Sequence, residues 1–238
     1  MRQYGRIIDH MAVIFPFEVP FYERYNIPVT YVGHPLAGQV SARISRDEAC
    51  ARFGLSGLRR VIGLLPGSRA SELKRLLPVI LASAEQLARS FPDVQFVLFK
   101  APTVSEPLLR QELARYPVEV NLIEGQNYDV LQCCDAVITV SGTATLEVAL
   151  MGIPMAILYK LSPLSYWLGR LLVRIPWIGL PNILAGRLIV REFIQHEAEA
   201  HNIATEMGRI LDDPLYAGKM RADLQAVRDR MGAGQASD

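Results

Sequence analysis

The chain has 238 residues, half of them hydrophobic and 21% charged, with a formal net charge of +1. That balance belongs to the ordinary soluble globular class, with length for one large domain or one domain and part of another. It argues against a nucleic-acid binder, which needs a strong basic surplus. Three cysteines, two of them adjacent at Cys133 and Cys134, do not make a disulfide framework, and a reducing cytoplasm fits better.

The run from Met1 to His10 is too short and too polar for a secretory h-region. The most apolar stretch, from Met155 to Leu184, is interrupted by Arg170, Arg174, Pro163, Pro176 and Pro181, so no transmembrane helix is expected.

Short β-rich runs alternate with longer helical stretches, a pattern that predicts a parallel sheet with crossover helices. Strands are expected at 11–15 and 29–32, with a short helix at 19–25 between them. Residues 37–46 look like a linker, and a short helix over 47–53 closes at Gly54. From there the pattern predicts a complete nucleotide-binding unit. Its strands fall at 60–65, 95–99, 118–123, 136–140 and 154–159. Its helices fall at 73–91, 106–115, 127–133 and 144–151, the longest with Leu76, Ile80, Ala84 and Leu87 on one face. Two further helices are expected at 198–212 and 214–231, followed by a small polar tail.

Two strand-to-helix junctions carry the candidate chemistry, because ligands of open α/β sheets sit outside the carboxyl ends of the strands. The first is Leu65-Pro66-Gly67-Ser68-Arg69. Gly67 permits a tight turn, Ser68 offers a hydroxyl, and the Arg69 guanidinium matches phosphate oxygens. The bland alternative is a tight turn with a solvated arginine. The second is Ser141-Gly142-Thr143-Ala144-Thr145-Leu146-Glu147. Small residues at a helix start leave amides free for an anion, and the helix dipole favours one there. Glu147, one turn after Thr143, has the chemistry to accept two ribose hydroxyls. Here the alternative is Thr143 as an N-cap and Glu147 as an ordinary first-turn acid.

A third segment, Leu180-Pro181-Asn182-Ile183-Leu184-Ala185-Gly186-Arg187, has Asn182 either as a turn former or as an amide that bonds sugar and phosphate oxygens. His196 and His201 do not share a helical face, and no Asp-any-Asp triplet occurs, so no metal or other cofactor is expected. Cys133 and Cys134 are expected to pack rather than react. The stretch from Tyr166 to Ile178 mixes Trp167 and Trp177 with aliphatics and two arginines; a lipid interface and core packing weigh equally there.

Taken together and in this spacing, the three motifs and Gly152-Ile153-Pro154-Met155 resemble the lipid-A-disaccharide synthase family. Val13 to Glu18 and Tyr31 to Pro35 extend the likeness over nearly the whole chain. The resemblance implies a GT-B glycosyltransferase, α/β with two Rossmann-like domains. Here the carboxy-terminal one would be essentially complete at 42–238, with 1–41 a remnant of the amino-terminal acceptor domain and linker. It implies transfer of 2,3-diacylglucosamine from its UDP derivative to 2,3-diacylglucosamine 1-phosphate. The product is a β-1,6 disaccharide, released with UDP and without a metal, at the cytoplasmic face of the inner membrane. By motif match, Gly67 and Ser68 with Ser141, Gly142 and Thr143 would hold diphosphate, Arg69 the diphosphate or the acceptor phosphate, and Glu147 the ribose. Arg69 and Asn182 would bear on catalysis.

The family's glycine-rich loop and proposed general-base aspartate have no counterpart in this sequence, so the chain alone is expected to be inactive or nearly so. Oligomeric state is open, a homodimer included. The competing readings are a UDP-sugar-binding subunit that works with a separate acceptor-domain chain, and another GT-B protein such as the murein glycosyltransferase or a UDP-sugar epimerase.

Overall fold

The computed structural model describes residues 7–125, 128–161 and 176–232. Most of the expected stretch from Tyr166 to Ile178 lies outside them.

Among the described residues two sheets form, and both are parallel. The small one pairs β1 (Met11–Val13) with β2 (Val29–Tyr31), joined through a 3-10 turn and helix α1 (Val19–Glu23). Helix α2 (Leu36–Gln39) forms within the segment expected as linker, and α3 (Arg46–Arg52) follows, its start capped by the Ser45 hydroxyl accepting from the Glu48 amide.

The large sheet has six strands. In chain order these are β3 (Val61–Leu65), β4 (Gln95–Lys100), β5 (Val120–Glu124), β6 (Ala136–Val140), β7 (Met155–Tyr159) and β8 (Arg191–Ile194). Their spatial order is β5-β4-β3-β6-β7-β8, the doubly wound arrangement in which the chain starts at the centre and reverses direction once. Strands β3 and β6 lie side by side, Ile62 opposite Ala136 and Leu65 opposite Thr139. Every residue of these two strands is buried, as expected of central strands covered by helices on both faces.

The longest crossover helix buries one stripe, whereas the helix that follows β6 is buried over Thr145 to Leu150. In α4 (Ala70–Ser90) the inward residues are Leu73, Leu76, Leu77, Ile80, Leu81, Ala84 and Leu87, the 3.6-residue spacing of an amphipathic helix. It starts three residues earlier than expected, because Arg69 keeps extended backbone and serves as N-cap. Helices α5 (Glu106–Leu113), α6 (Tyr128–Leu131) and α7 (Thr143–Leu150) lie in the next three crossovers. Helices α9 (Ala200–Asp212) and α10 (Pro214–Gly232) close the fold, α9 against α4 and α10 against α7. Helix α10 also reaches the first sheet: it packs on α2, and the Tyr31 hydroxyl donates to the Met231 carbonyl at 3.0 Å.

Two further elements depart from expectation. The segment around Asn182 is a short helix, α8 (Leu180–Ala185), with Pro181 in its first turn where a missing N–H costs nothing. Strand β8 follows it on the sheet edge and was not expected. Its four residues, Arg191-Glu192-Phe193-Ile194, are too few and too polar to stand out as a strand.

Candidate functional site

The sheet order decides where a ligand can sit. Adjacent loops diverge only where the winding reverses, and here that point lies between the carboxyl ends of β3 and β6. A cavity of about 520 Å³ occupies it. Gly67, Ser68 and Arg69 line it from the loop after β3, and Ser141, Gly142, Thr143 and Glu147 from the loop and helix after β6. Both junctions singled out in the sequence thus meet at one site.

The first loop is shaped by Gly67, whose φ of +93° disfavours any side chain. A Cβ at Gly67 would also fall 2.8 Å from Glu72 Oε2. Glu72, in the first turn of α4, lines the cavity and pairs with Arg69 at 3.1 Å. Arg69 is 80% exposed, so its fork remains open to an incoming anion. Thr103 anchors the loop by donating its hydroxyl to the Ser68 carbonyl at 3.1 Å. Glu72 was not singled out in the sequence; its position three residues after Arg69, on the same helical face, was the available signal.

The second wall is the start of α7. Gly142 is its N-cap and contributes no side chain, so Thr143 does not cap the helix. Thr145 closes the turn instead, its hydroxyl donating to the Gly142 carbonyl at 2.7 Å. The first amides of a helix lack an acceptor within it, and here Thr143 and Ala144, which carry them, line the cavity.

Glu147 is the most unusual group at the site. Its side chain is buried, 7% exposed, and its Oε2 has no hydrogen-bond partner. Burial pushes its pKa up to about 7, and a hydrogen bond from Tyr128 pulls it partway back. A buried carboxylate oxygen without a donor is costly, and such groups concentrate where a ligand supplies the missing partner. The Tyr128 hydroxyl is itself shifted upward, by burial first and by the Glu147 charge second.

Asn182 is placed differently from either sequence expectation. It is fully buried in α8 rather than in a turn, and it does not line the cavity. Its amide bonds to protein atoms on every side: Nδ2 donates to the Val190 carbonyl and Glu192 Oε1, and Oδ1 accepts from the Ile189 and Val190 amides. Direct contact between this side chain and a sugar or phosphate is not available in this arrangement.

The cysteines Cys50, Cys133 and Cys134 are buried and free. Burial pushes the Cys133 thiol up to about 12, so at neutral pH it is a packing group rather than a nucleophile. Among the described residues, no cluster of His, Cys, Asp or Glu is placed to hold a metal ion, and no helix is long and apolar enough to cross a membrane.

Six parallel strands wound in this order, with the cavity at their reversal point, define a Rossmann-like α/β unit of the kind GT-B proteins carry. Solved structures share the fold. A UDP-GlcNAc 2-epimerase from Neisseria meningitidis bound to UDP-GlcNAc superposes with a TM-score of 0.62 at 17% identity, covering 89% of this chain and 56% of that one. The ADP-heptose lps heptosyltransferase II of E. coli gives 0.52 at 19%, covering 71% and 52%. The sequence then narrows the class: residues 1–236 match the lipid-A-disaccharide synthetase family, and the chain belongs to it. It is 53% identical over 234 residues to the lipid-A-disaccharide synthase of Geobacter sulfurreducens, covering 98% of this chain and 61% of the relative. With that of Nitrosococcus oceani it shares 44%, covering 98% and 60%. The chain thus spans about three-fifths of the length of these curated relatives.

Proposed function

We propose that the cavity between β3 and β6 holds the UDP portion of a nucleotide-sugar donor, and that the chain is the donor-holding part of a lipid-A-disaccharide synthase. The observation that carries this reading is the Glu147 carboxylate, buried at the cavity with one oxygen lacking a donor. A ribose supplies two hydroxyls to such a group. The neighbouring diphosphate then falls between Arg69 and the amino end of α7, where a guanidinium and a helix dipole both favour negative charge. Ser68, Ser141 and Thr143 add hydroxyls around it, and Gly67 and Gly142 let the backbone approach.

In the reaction that family membership supports, a hydroxyl of 2,3-diacylglucosamine 1-phosphate gives up its proton to a base on the acceptor side, or to water, as its oxygen attacks the anomeric carbon of UDP-2,3-diacylglucosamine. The bond from that carbon to the diphosphate oxygen breaks, and UDP leaves with the electron pair. Arg69 and the helix start stabilise the charge that grows on the leaving diphosphate. Residues 42–238 form the donor domain in this reading and 1–41 belong to the acceptor side. The curated relatives are longer than this chain, and holding the acceptor in line is worth ~7–11 kcal/mol of a barrier. Peripheral attachment to the cytoplasmic face of the inner membrane is part of the same proposal; it rests on the acylated substrates and on the Trp-rich, Arg-containing stretch 166–178.

Calorimetric titration of the purified chain with UDP is the direct test. Saturable one-to-one binding is expected, and no heat at millimolar UDP would overturn the assignment.

A further inference from the structure

Outside the cavity lining, Asn182 and Glu192 form a polar lock. Glu192 extends from β8 toward the start of α8. Its Oε2 accepts from the Ile178 amide at 2.9 Å, and its Oε1 accepts from the Gly179 amide at 2.9 Å and from Asn182 Nδ2 at 2.7 Å. Asn182 completes the lock: Nδ2 also donates to the Val190 carbonyl at 2.8 Å, and Oδ1 accepts from the Ile189 and Val190 amides at 2.8 and 3.0 Å. The carboxylate thus gathers amides that precede a helix and would otherwise lack acceptors, at the end where the helix dipole favours negative charge. Gly179 is pressed so closely that a Cβ there would fall 2.5 Å from Ile157 Cδ1 and 3.1 Å from Glu192 Oε1.

The lock reaches the site through two contacts. Helix α8 packs on α7, which carries Glu147 and whose first turn lines the cavity. The Ile178 carbonyl, held by the same run of backbone, faces the Ser141 hydroxyl at 3.5 Å. Neither Asn182 nor Glu192 lines the cavity.

We propose that Glu192 is a positioning residue for the donor site, acting with Asn182 to clamp α8 between β8 and α7 and so to hold Ser141, the α7 amides and Glu147 in register. The inference rests on reading the cavity as the UDP site, and it gives Asn182 an indirect role in place of contact with the sugar. Because either substitution opens the same clamp, their effects do not add.

The test is a double-mutant cycle on the full chain, using Asn182→Ala, Glu192→Gln and the double variant, each titrated with UDP and with UDP-glucose. Each single variant is expected to lose about ten-fold in affinity for both ligands, and the double variant no more than either single. A ligand-contacting Asn182 gives a different result: Asn182→Ala weakens UDP-glucose but not UDP, and Glu192→Gln is silent. That outcome overturns the clamp, as do fully additive losses. If Glu192→Gln does not fold, Glu192→Asp, which withdraws the carboxylate by one methylene, takes its place, and unchanged affinity in it counts against the proposal. Hydrogen exchange keeps the clamp separate from the UDP assignment. Even if the parent chain binds no UDP, the amides of 143–147 are expected to exchange faster in the Glu192 variant, and identical exchange sinks the clamp.

Discussion

Arg69, at the carboxyl end of β3, and Glu147, one turn into the helix that follows β6, line the same cavity. Only the adjacency of β3 and β6 in the sheet makes this so. The cavity carries opposing charges in consequence. The guanidinium is exposed and shared with Glu72, whereas the Glu147 carboxylate is buried and incompletely bonded. An anion is attracted to one side and a hydrogen-bond donor to the other, which is the polarity of a nucleoside diphosphate.

Replacing the guanidinium separates binding from folding. The Arg69 side chain is 80% exposed and its ion pair with Glu72 is of the surface kind, worth ~0–1 kcal/mol. Arg69→Ala is therefore expected to leave the melting temperature nearly unchanged while weakening UDP by about 1.5–3 kcal/mol, the worth of a charged hydrogen bond. Calorimetry and thermal melts on the same preparation check both halves; a variant that binds UDP normally removes Arg69 from the site.

Donor affinity should depend on pH through Glu147. With its pKa raised to about 7 in the free chain, this carboxyl is mostly protonated at pH 6 and mostly ionised at pH 8. If the ionised form accepts the ribose hydroxyls, UDP-glucose binds up to about ten-fold more weakly at pH 6 than at pH 8. Its diphosphate diester does not titrate in that window, so the ligand contributes no slope. Glu147→Gln should flatten the profile and lower affinity at pH 8 by about 1.5–3 kcal/mol. A slope that persists in Glu147→Gln assigns it to another group.

The same shift makes the carboxylate a stability cost. Folded, the group titrates at about 7; its ordinary value is 4.5. Between those values the folded chain holds the proton more tightly than the unfolded one, so stability falls as pH rises from 4.5 to 7 and is level above it. The loss at pH 8, allowing for solvent screening, is on the order of 1–3 kcal/mol. Glu147→Gln avoids that loss, so without ligand it should be more stable than the parent at pH 8, with the gap closing toward pH 4.5. Urea unfolding at the two pH values decides this, and a variant less stable than the parent at pH 8 contradicts it.

Away from the site, Glu206 is 2% exposed and depends on Tyr216, whose hydroxyl donates to it at 2.6 Å, and on Arg191 at 3.7 Å. Burial and this bond push the tyrosine up to about 12. Tyr216→Phe keeps the ring under the Arg209 guanidinium, 3.8 Å from its centroid, but removes the donor. It is expected to cost about 1–3 kcal/mol in chemical denaturation with UDP affinity unchanged. A neutral result shows that the carboxylate is satisfied without the hydroxyl.

Much of this protein is local and could be taken from the sequence alone. The alternation of apolar runs with helical periodicity specified a parallel α/β fold, because strand and helix patterns depend on neighbours a few residues away. The two junction motifs were visible for the same reason: glycine, small hydroxyls and an arginine at a strand end are local choices. Strand β8 and the helical state of Leu180–Ala185 were not visible, since both are stabilised by partners far along the chain, β7 in the sheet and Glu192 at the helix start. What only the tertiary structure decided was which groups meet and which have a partner. It brought Arg69 and Glu147 to one cavity, took the Glu147 carboxylate out of water without supplying a second donor, and turned Asn182 inward to bond with Glu192. Desolvation and hydrogen-bond satisfaction are set by what surrounds a group in space, and neither is written in the residues beside it.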